Sequence, residues 1–193
     1  MRNFLTLILL ISLVSQGNSF AQMTMPDHIK NKMTYPVLDF APWVGVIPIL
    51  DPVMPYDSAL TYKIAIDIYG TFKDSAMVYE PFTEIARTYN LHIANGVPAD
   101  KIKIAAIVHA GLSRALLSNE AFKEKYGIDN PNILALQELK KAGVEFYLCG
   151  QSMSFLKIPQ EDITPEVKVA ISAKTTFVAL DQLGYTYMDV SKN

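Results

Sequence analysis

From residue 62 onward the apolar positions alternate between short β-branched runs and stretches of helical spacing. Residues 62–69 (YKIAIDIY) are apolar on both alternating faces and predict a strand buried on both sides. Residues 80–95 then place Phe82, Ile85, Ala86, Tyr89 and Ile93 at helical spacing, with Gly96 and Pro98 as the stop. A second strand is expected over 103–109 (KIAAIVH), followed by short helical pieces between 112 and 126. Asn130-Pro131 has the form of a helix start, an N-cap followed by proline at the first helical position. That helix turns Ile133, Leu136 and Leu139 inward, carries Lys140 and Lys141 in its last turn and stops at Gly143. Residues 144–148 form a third expected strand running into Cys149-Gly150, and 167–172 a fourth. A helix over 175–183 closes at Gly184, and 185–190 supply a fifth strand. Strands alternating with crossover helices predict an α/β fold, a three-layer α/β/α sandwich on a mainly parallel sheet of about five strands, spanning 59–193.

The first sixty residues follow a different pattern. Arg2 precedes an apolar run over 4–14, and Ser19-Phe20-Ala21 places small residues at the two positions that direct cleavage. This is the layout of a secretory signal peptide over 1–21, and the run is short for a membrane span. Residues 22–58 then hold Pro26, Pro36, Pro42, Pro48, Pro52 and Pro55, six of the eleven prolines in the chain. Such density is expected to forbid regular helix and to interrupt sheet pairing, so an extended arm is expected. Its Tyr35, Phe40, Trp43, Val44, Val46, Ile47 and Ile49 are too apolar for a solvated linker. The arm should therefore lie on its own domain or on a neighbouring subunit, and a homo-oligomer is expected.

Composition narrows the function classes. The chain has 193 residues, 19% of them charged, a net charge of −2 and a mean hydropathy of +0.18 that the leader inflates. Without residues 1–21, 16 basic residues face 19 acidic ones. Nothing here suits nucleic acid, and no membrane span is expected once the leader is removed. The exported protein is expected in a periplasm or the extracellular space, the periplasm being favoured. A single cysteine, Cys149, excludes an internal disulfide and any multi-cysteine metal site.

In a parallel sheet, ligands gather at the carboxyl ends of the strands. Those ends carry residues 67–74, beginning at Asp67, then His109-Ala110-Gly111, then Cys149-Gly150-Gln151-Ser152. A thiol at a strand end, followed by a helical turn over 151–156, would face backbone amides that favour the thiolate. Gly150 would let the chain turn sharply and leave the sulfur uncovered. The competing reading makes Cys149 a small buried hydrophobe. His109, on the same edge, can serve as a proton donor or thiolate partner, or can simply cap strand carbonyls. The Gly70-Thr71-Phe72-Lys73-Asp74-Ser75 loop lacks the glycine spacing of a nucleotide fingerprint. No cofactor or metal is expected. Met23, Met25, His28 and Met33 offer a weaker copper(I) alternative.

Three segments resemble the DsrE/DsrF-like family of small sulfur-handling proteins: residues 94–109 (ANGVP through KIKIAAIVH), 142–152 (AGVEFYLCGQS) and 165–190. The likeness extends over about 62–190. It implies a three-layer α/β/α subunit that assembles into homotrimers or homohexamers. It also implies that Cys149 accepts sulfur as a persulfide, with His109 nearby in the pocket; the strand-end loops would add Asp67, Gly111, Gly150, Gln151 and Ser152 around it. The partner would be a thiol-bearing protein or a small sulfur compound. The alternative is a non-catalytic oligomeric binding module with a structural cysteine, and whether there is enzymatic turnover is left open. The leader and the arm depart from the compact cytoplasmic relay subunits.

Overall fold

The computed structural model describes residues 25–57 and 59–191. The expected leader over 1–21, and Met23, lie outside these residues. Five strands form one sheet: β1 (Tyr62–Ile68), β2 (Ile102–Val108), β3 (Glu145–Cys149), β4 (Val167–Ala170) and β5 (Thr186–Asp189). Their order is β4-β3-β2-β1-β5, and every neighbouring pair is parallel. The helices are α1 (Asp27–Lys30), α2 (Glu80–Ala94), α3 (Asn119–Tyr126), α4 (Ile133–Lys141), α5 (Gly150–Phe155) and α6 (Ala173–Gln182), with a 3-10 segment over Ala110–Leu116.

The period-two alternation of each strand divides the side chains between two layers. Ile64, Ile66, Ile68, Ile104, Ala106, Val108, Phe146 and Leu148 face the larger core beneath α2 and α4. Ala65, Ala105, Ile107 and Cys149 face the other way, where α6 contributes Ala173 and Leu180. Burial on both faces explains why β1 and β2 read as near-continuous apolar runs. The chain steps across the sheet in one direction from β1 to β4, then returns past β1 to lay down β5. The return carries α6 over the second face and completes the three layers.

The proline-dense segment folds back on its own domain, through Leu38 to Val46 and again at Tyr56, which packs against the same core. Leu38 and Val44 are buried in the larger core. Asn90 of α2, itself fully buried, accepts the Leu38 N–H at 3.1 Å and donates to the carbonyls of Leu38 (2.8 Å) and Val44 (2.9 Å). Contrary to the expectation of no regular helix here, short turns form at Asp27–Lys30 and Pro42–Val44, where Pro26 stands at the N-cap and Pro42 in the first turn, positions that need no N–H donor.

One capping expectation needs correction. Asn130 does not cap α4: that helix begins at Ile133, and the Asn132 position before it has no side-chain cap. Asn130 is instead buried, donating to the carbonyls of Ala115 and Leu117 and accepting from the Asn132 N–H. Its side-chain oxygen is taken by the backbone and side-chain amides of Asn132, ahead of the first turn of α4, while its NH2 group is held by two carbonyls of the preceding segment.

Candidate functional site at the carboxyl edge

Because β1, β2 and β3 run parallel, Asp67, His109 and Cys149 all reach the same edge of the sheet. The register pairs Asp67 with Ile107, and Val108 with Leu148, so His109 comes opposite Cys149 one step beyond the paired residues. Parity places these residues on the α6 face, with neighbouring strands about 4.8 Å apart.

Cys149 occupies the N-cap position of α5, and its sulfur accepts the Ser152 N–H at 3.5 Å. Burial pushes the thiol pKa up, the largest single influence. Hydrogen bonds from the Ser152 hydroxyl and amide and from the amides of Ala173 and Gln151 favour the thiolate, and the net position is below the ordinary thiol value. These donors come from the first turns of two helices. Ser172 caps α6 by accepting the Thr175 N–H, which fixes the turn that supplies the Ala173 amide.

The sulfur is not uncovered, contrary to the sequence expectation. Cys149 is 5% exposed and packs in the cluster with Ala65, Ala105, Ile107, Ala173 and Leu180. Gly150 is needed for close approach instead. A Cβ there would lie 2.7 Å from the Ala170 carbonyl oxygen, so glycine lets the start of α5 press on the end of β4 and close over the thiol.

The His109 imidazole is held by Asp67, with Nε2 at 2.8 Å from Oδ1. The Tyr187 hydroxyl donates to the other carboxylate oxygen at 2.7 Å. Tyr69 stacks on the imidazole, the ring centroids 5.5 Å apart. Asp67 is 8% exposed and its two oxygens serve two donors, so this buried carboxylate is satisfied on both sides. Its acceptor bond from Tyr187, followed by burial, raises the phenol pKa well above the ordinary value. Asp67 thus orients the imidazole, a role the sequence left without a residue.

The remaining residues expected around the pocket have mainly structural contacts. Ser152 Oγ accepts the Ala110 N–H at 2.9 Å, tying α5 to the segment after β2, where Ala110 has a φ of 56°. Gly111 lies against the opposite loop; a Cβ there would be 2.8 Å from the Gly70 carbonyl oxygen. Gln151 is exposed and donates to the Ile171 carbonyl at 3.5 Å. Tyr187, Tyr69 and Ala173 were missed by sequence reasoning. Tyr187 stands 120 positions from Asp67, and only the placement of β5 beside β1 brings them together. Among the described residues no group of three or more His, Cys, Asp or Glu side chains could hold a metal, and no helix is long and apolar enough to cross a membrane.

The chain is similar in structure to MTH1491 from Methanobacterium thermoautotrophicum, a protein of unknown function. That match has 16% identity and a TM-score of 0.49, covering 66% of this chain and 98% of the other. It is also similar to the ychN protein from E. coli at 15% identity and a TM-score of 0.48, covering 68% and 99% of the two chains. No curated protein gives a significant match. A family model described as DsrE/DsrF-like matches residues 75–190, from the loop before α2 through the end of β5 and with both His109 and Cys149 inside it. By that match, over more than half of its length, the chain belongs to the DsrE/DsrF-like family.

Proposed function

We propose that this protein is an exported DsrE-like sulfur carrier, in which Cys149 accepts sulfane sulfur as a persulfide and passes it to a thiol partner. The observation that carries the reading is the place of Cys149 at the N-cap of α5, where its sulfur accepts the Ser152 N–H at 3.5 Å. Amides of Ser152, Gln151 and Ala173 and the Ser152 hydroxyl favour the anion despite burial. A thiolate attacks the outer sulfur of a donor persulfide, R–S–SH. One S–S bond forms on Cys149 as the donor's S–S bond breaks, and R–S⁻ leaves with the electron pair. The exchange is balanced without an external oxidant. His109, oriented by Asp67, is placed on the same sheet face to supply a proton to the leaving thiolate. Discharge onto a small sulfur compound or a partner protein's thiol is the same step reversed. At 5% exposure the sulfur requires an opening movement of the α5 or α6 first turn before a donor can reach it.

The reading includes export, supported by the basic start, apolar run and small residues of 1–21, and residence in a periplasm. It also includes self-association as a homotrimer or homohexamer. Support for that comes from large apolar side chains left in solvent, among them Phe155 (84% exposed), Ile171 (77%) and Val178 (65%). The second reading, a non-catalytic binding module with a structural cysteine, is favoured by the near-complete burial of Cys149.

Intact mass separates the two readings. Protein purified from an exporting cell without reductant, and after exposure to polysulfide, should carry a reductant-sensitive gain of one sulfur atom that Cys149→Ser lacks. The same spectra should show an N-terminus at Gln22. A thiol that stays unmodified and resists alkylation until the protein unfolds overturns sulfur carriage and leaves the binding module.

A further inference from the structure

The loop that follows β1 encloses a cavity of about 390 Å³ between residues 69–81 and Leu112, a size suited to a small molecule. Tyr69 walls this cavity and also stacks on the His109 imidazole, so the cavity adjoins the candidate site. Its wall carries charges of both signs on neighbouring residues, Lys73 and Asp74. Lys73 is exposed and forms no ion pair among the described residues. Asp74 gives Oδ1 to the Ala76 N–H at 2.7 Å, which leaves Oδ2 for a second donor. Met77, Val78 and Leu112 supply apolar surface between these charges and the core.

We propose that this cavity is the head-group site for the thiol that exchanges sulfur with Cys149, and that it selects a small γ-glutamyl-type peptide thiol. Such a thiol has an amino acid head bearing both charges, joined through its side chain to the residue that carries the sulfur. Lys73 takes the head's carboxylate and Asp74 its ammonium. The inference rests on the sulfur-carrier reading and fixes the class of its small partner. The span favours a peptide over a free amino acid. Tyr69, His109 and Cys149 stand at the ends of three neighbouring strands, so the cavity begins two strand spacings, about 10 Å, from the sulfur. Free cysteine reaches only about 4 Å from head to thiol, whereas a γ-glutamyl link extends that reach to about 9 Å. A thiol presented on a folded protein would leave the cavity and both its charges unfilled. The peptide's path runs over Tyr69 and past His109, whose Nε2 is held by Asp67 and whose Nδ1 is left to take the acceptor's proton. The resulting thiolate attacks the outer sulfur of the Cys149 persulfide. A new S–S bond forms on the peptide as the old one breaks, Cys149 leaves as thiolate, and no oxidant is consumed.

The test loads the exported protein with polysulfide and follows loss of the added sulfur by intact mass as glutathione, cysteine or 2-mercaptoethanol is supplied. At equal thiolate concentration glutathione should discharge the protein fastest, and with saturation. Lys73→Glu, at an exposed position, should slow discharge to glutathione about tenfold and leave the 2-mercaptoethanol rate at the parent value. In a second arm, S-methylglutathione, which cannot accept sulfur, should bind Cys149→Ser in calorimetry and fail to bind Cys149→Ser/Lys73→Glu. A glutathione rate no faster than that of cysteine, or unchanged by Lys73→Glu, overturns the inference with sulfur carriage intact. Protein that takes up no sulfur overturns the carrier reading, and calorimetry then decides the site alone: absence of S-methylglutathione binding overturns it too.

Discussion

Gly150→Ala probes the coupling between the sheet edge and the thiol. At the first position of a short helix, alanine ordinarily gains up to about 1 kcal/mol over glycine. Here the added Cβ would lie 2.7 Å from the Ala170 carbonyl oxygen, 3.4 Å from that of Ile171 and 3.6 Å from Val169 Cγ1. The nearest atom is backbone, so relief requires α5 and β4 to separate by roughly 0.5 Å, and overpacking of this kind costs about 1–3 kcal/mol. The net expectation is a loss of about 1–2 kcal/mol. Ala170 pairs with Cys149 across the sheet, so the same displacement should loosen the cover over the sulfur. Urea unfolding would read the stability change, and the rate of iodoacetamide labelling under native conditions would read the cover. Faster labelling together with a lower midpoint is expected. Gly143→Ala provides the comparison, because it meets no atom within 4 Å and is strained only by its φ of 93°. It should lose a similar stability without faster labelling. A Gly150→Ala protein as stable as the parent, or labelled at the parent rate, would refute the reasoning.

Three further outcomes follow from the geometry. Asp67→Asn should cost about 1–3 kcal/mol by urea titration, since one amide oxygen replaces two carboxylate oxygens serving His109 and Tyr187. The raised folded pKa of Tyr187 means its bond stabilises fully below the unfolded phenol value near pH ~10 and is lost as pH climbs through the folded value. Alkaline difference absorbance should therefore show one tyrosine ionising earlier in Asp67→Asn. The lowered Cys149 pKa has the opposite sign: its contribution is present above the unfolded thiol value near ~8.5 and lost as pH falls through the folded one. The stability gap between parent and Cys149→Ala should widen with rising pH and level off by about pH 9; a gap independent of pH would contradict the thiolate assignment. Asn90→Ala strands three buried backbone groups of Leu38 and Val44, so a loss of about 3 kcal/mol and early protease cleavage in the 30s to 50s are expected.

Much of the fold was legible because its signals are local. Periods of two and 3.6, β-branched runs and terminal glycines placed five strands and their helices within a few residues of where they lie. Parallel topology alone puts Asp67, His109 and Cys149 on one edge. Local chemistry misled at Asn130, whose side-chain oxygen serves Asn132 before the helix begins while two carbonyls of the folded loop hold its NH2 group. It misled again at Gly150, where a glycine that suggested an open sulfur instead permits the approach that covers it.

The sequence by itself determined the alternation of strands and helices, the single thiol and the edge to which it belongs, because these depend on spacing along the chain. Tertiary structure decided the rest of the site. Strand order brought Tyr187 to Asp67 across 120 residues, α6 packed Ala173 against Cys149, and the fold-back of the proline-dense segment placed Leu38 and Val44 against Asn90. The physical reason is common to all three. Hydrogen bonds and close packing act over a few ångströms in space and carry no trace of separation along the chain, so Ala173 becomes a neighbour of Cys149 only when α6 docks on the sheet, whereas Gln151 and Ser152 follow the thiol in the same turn.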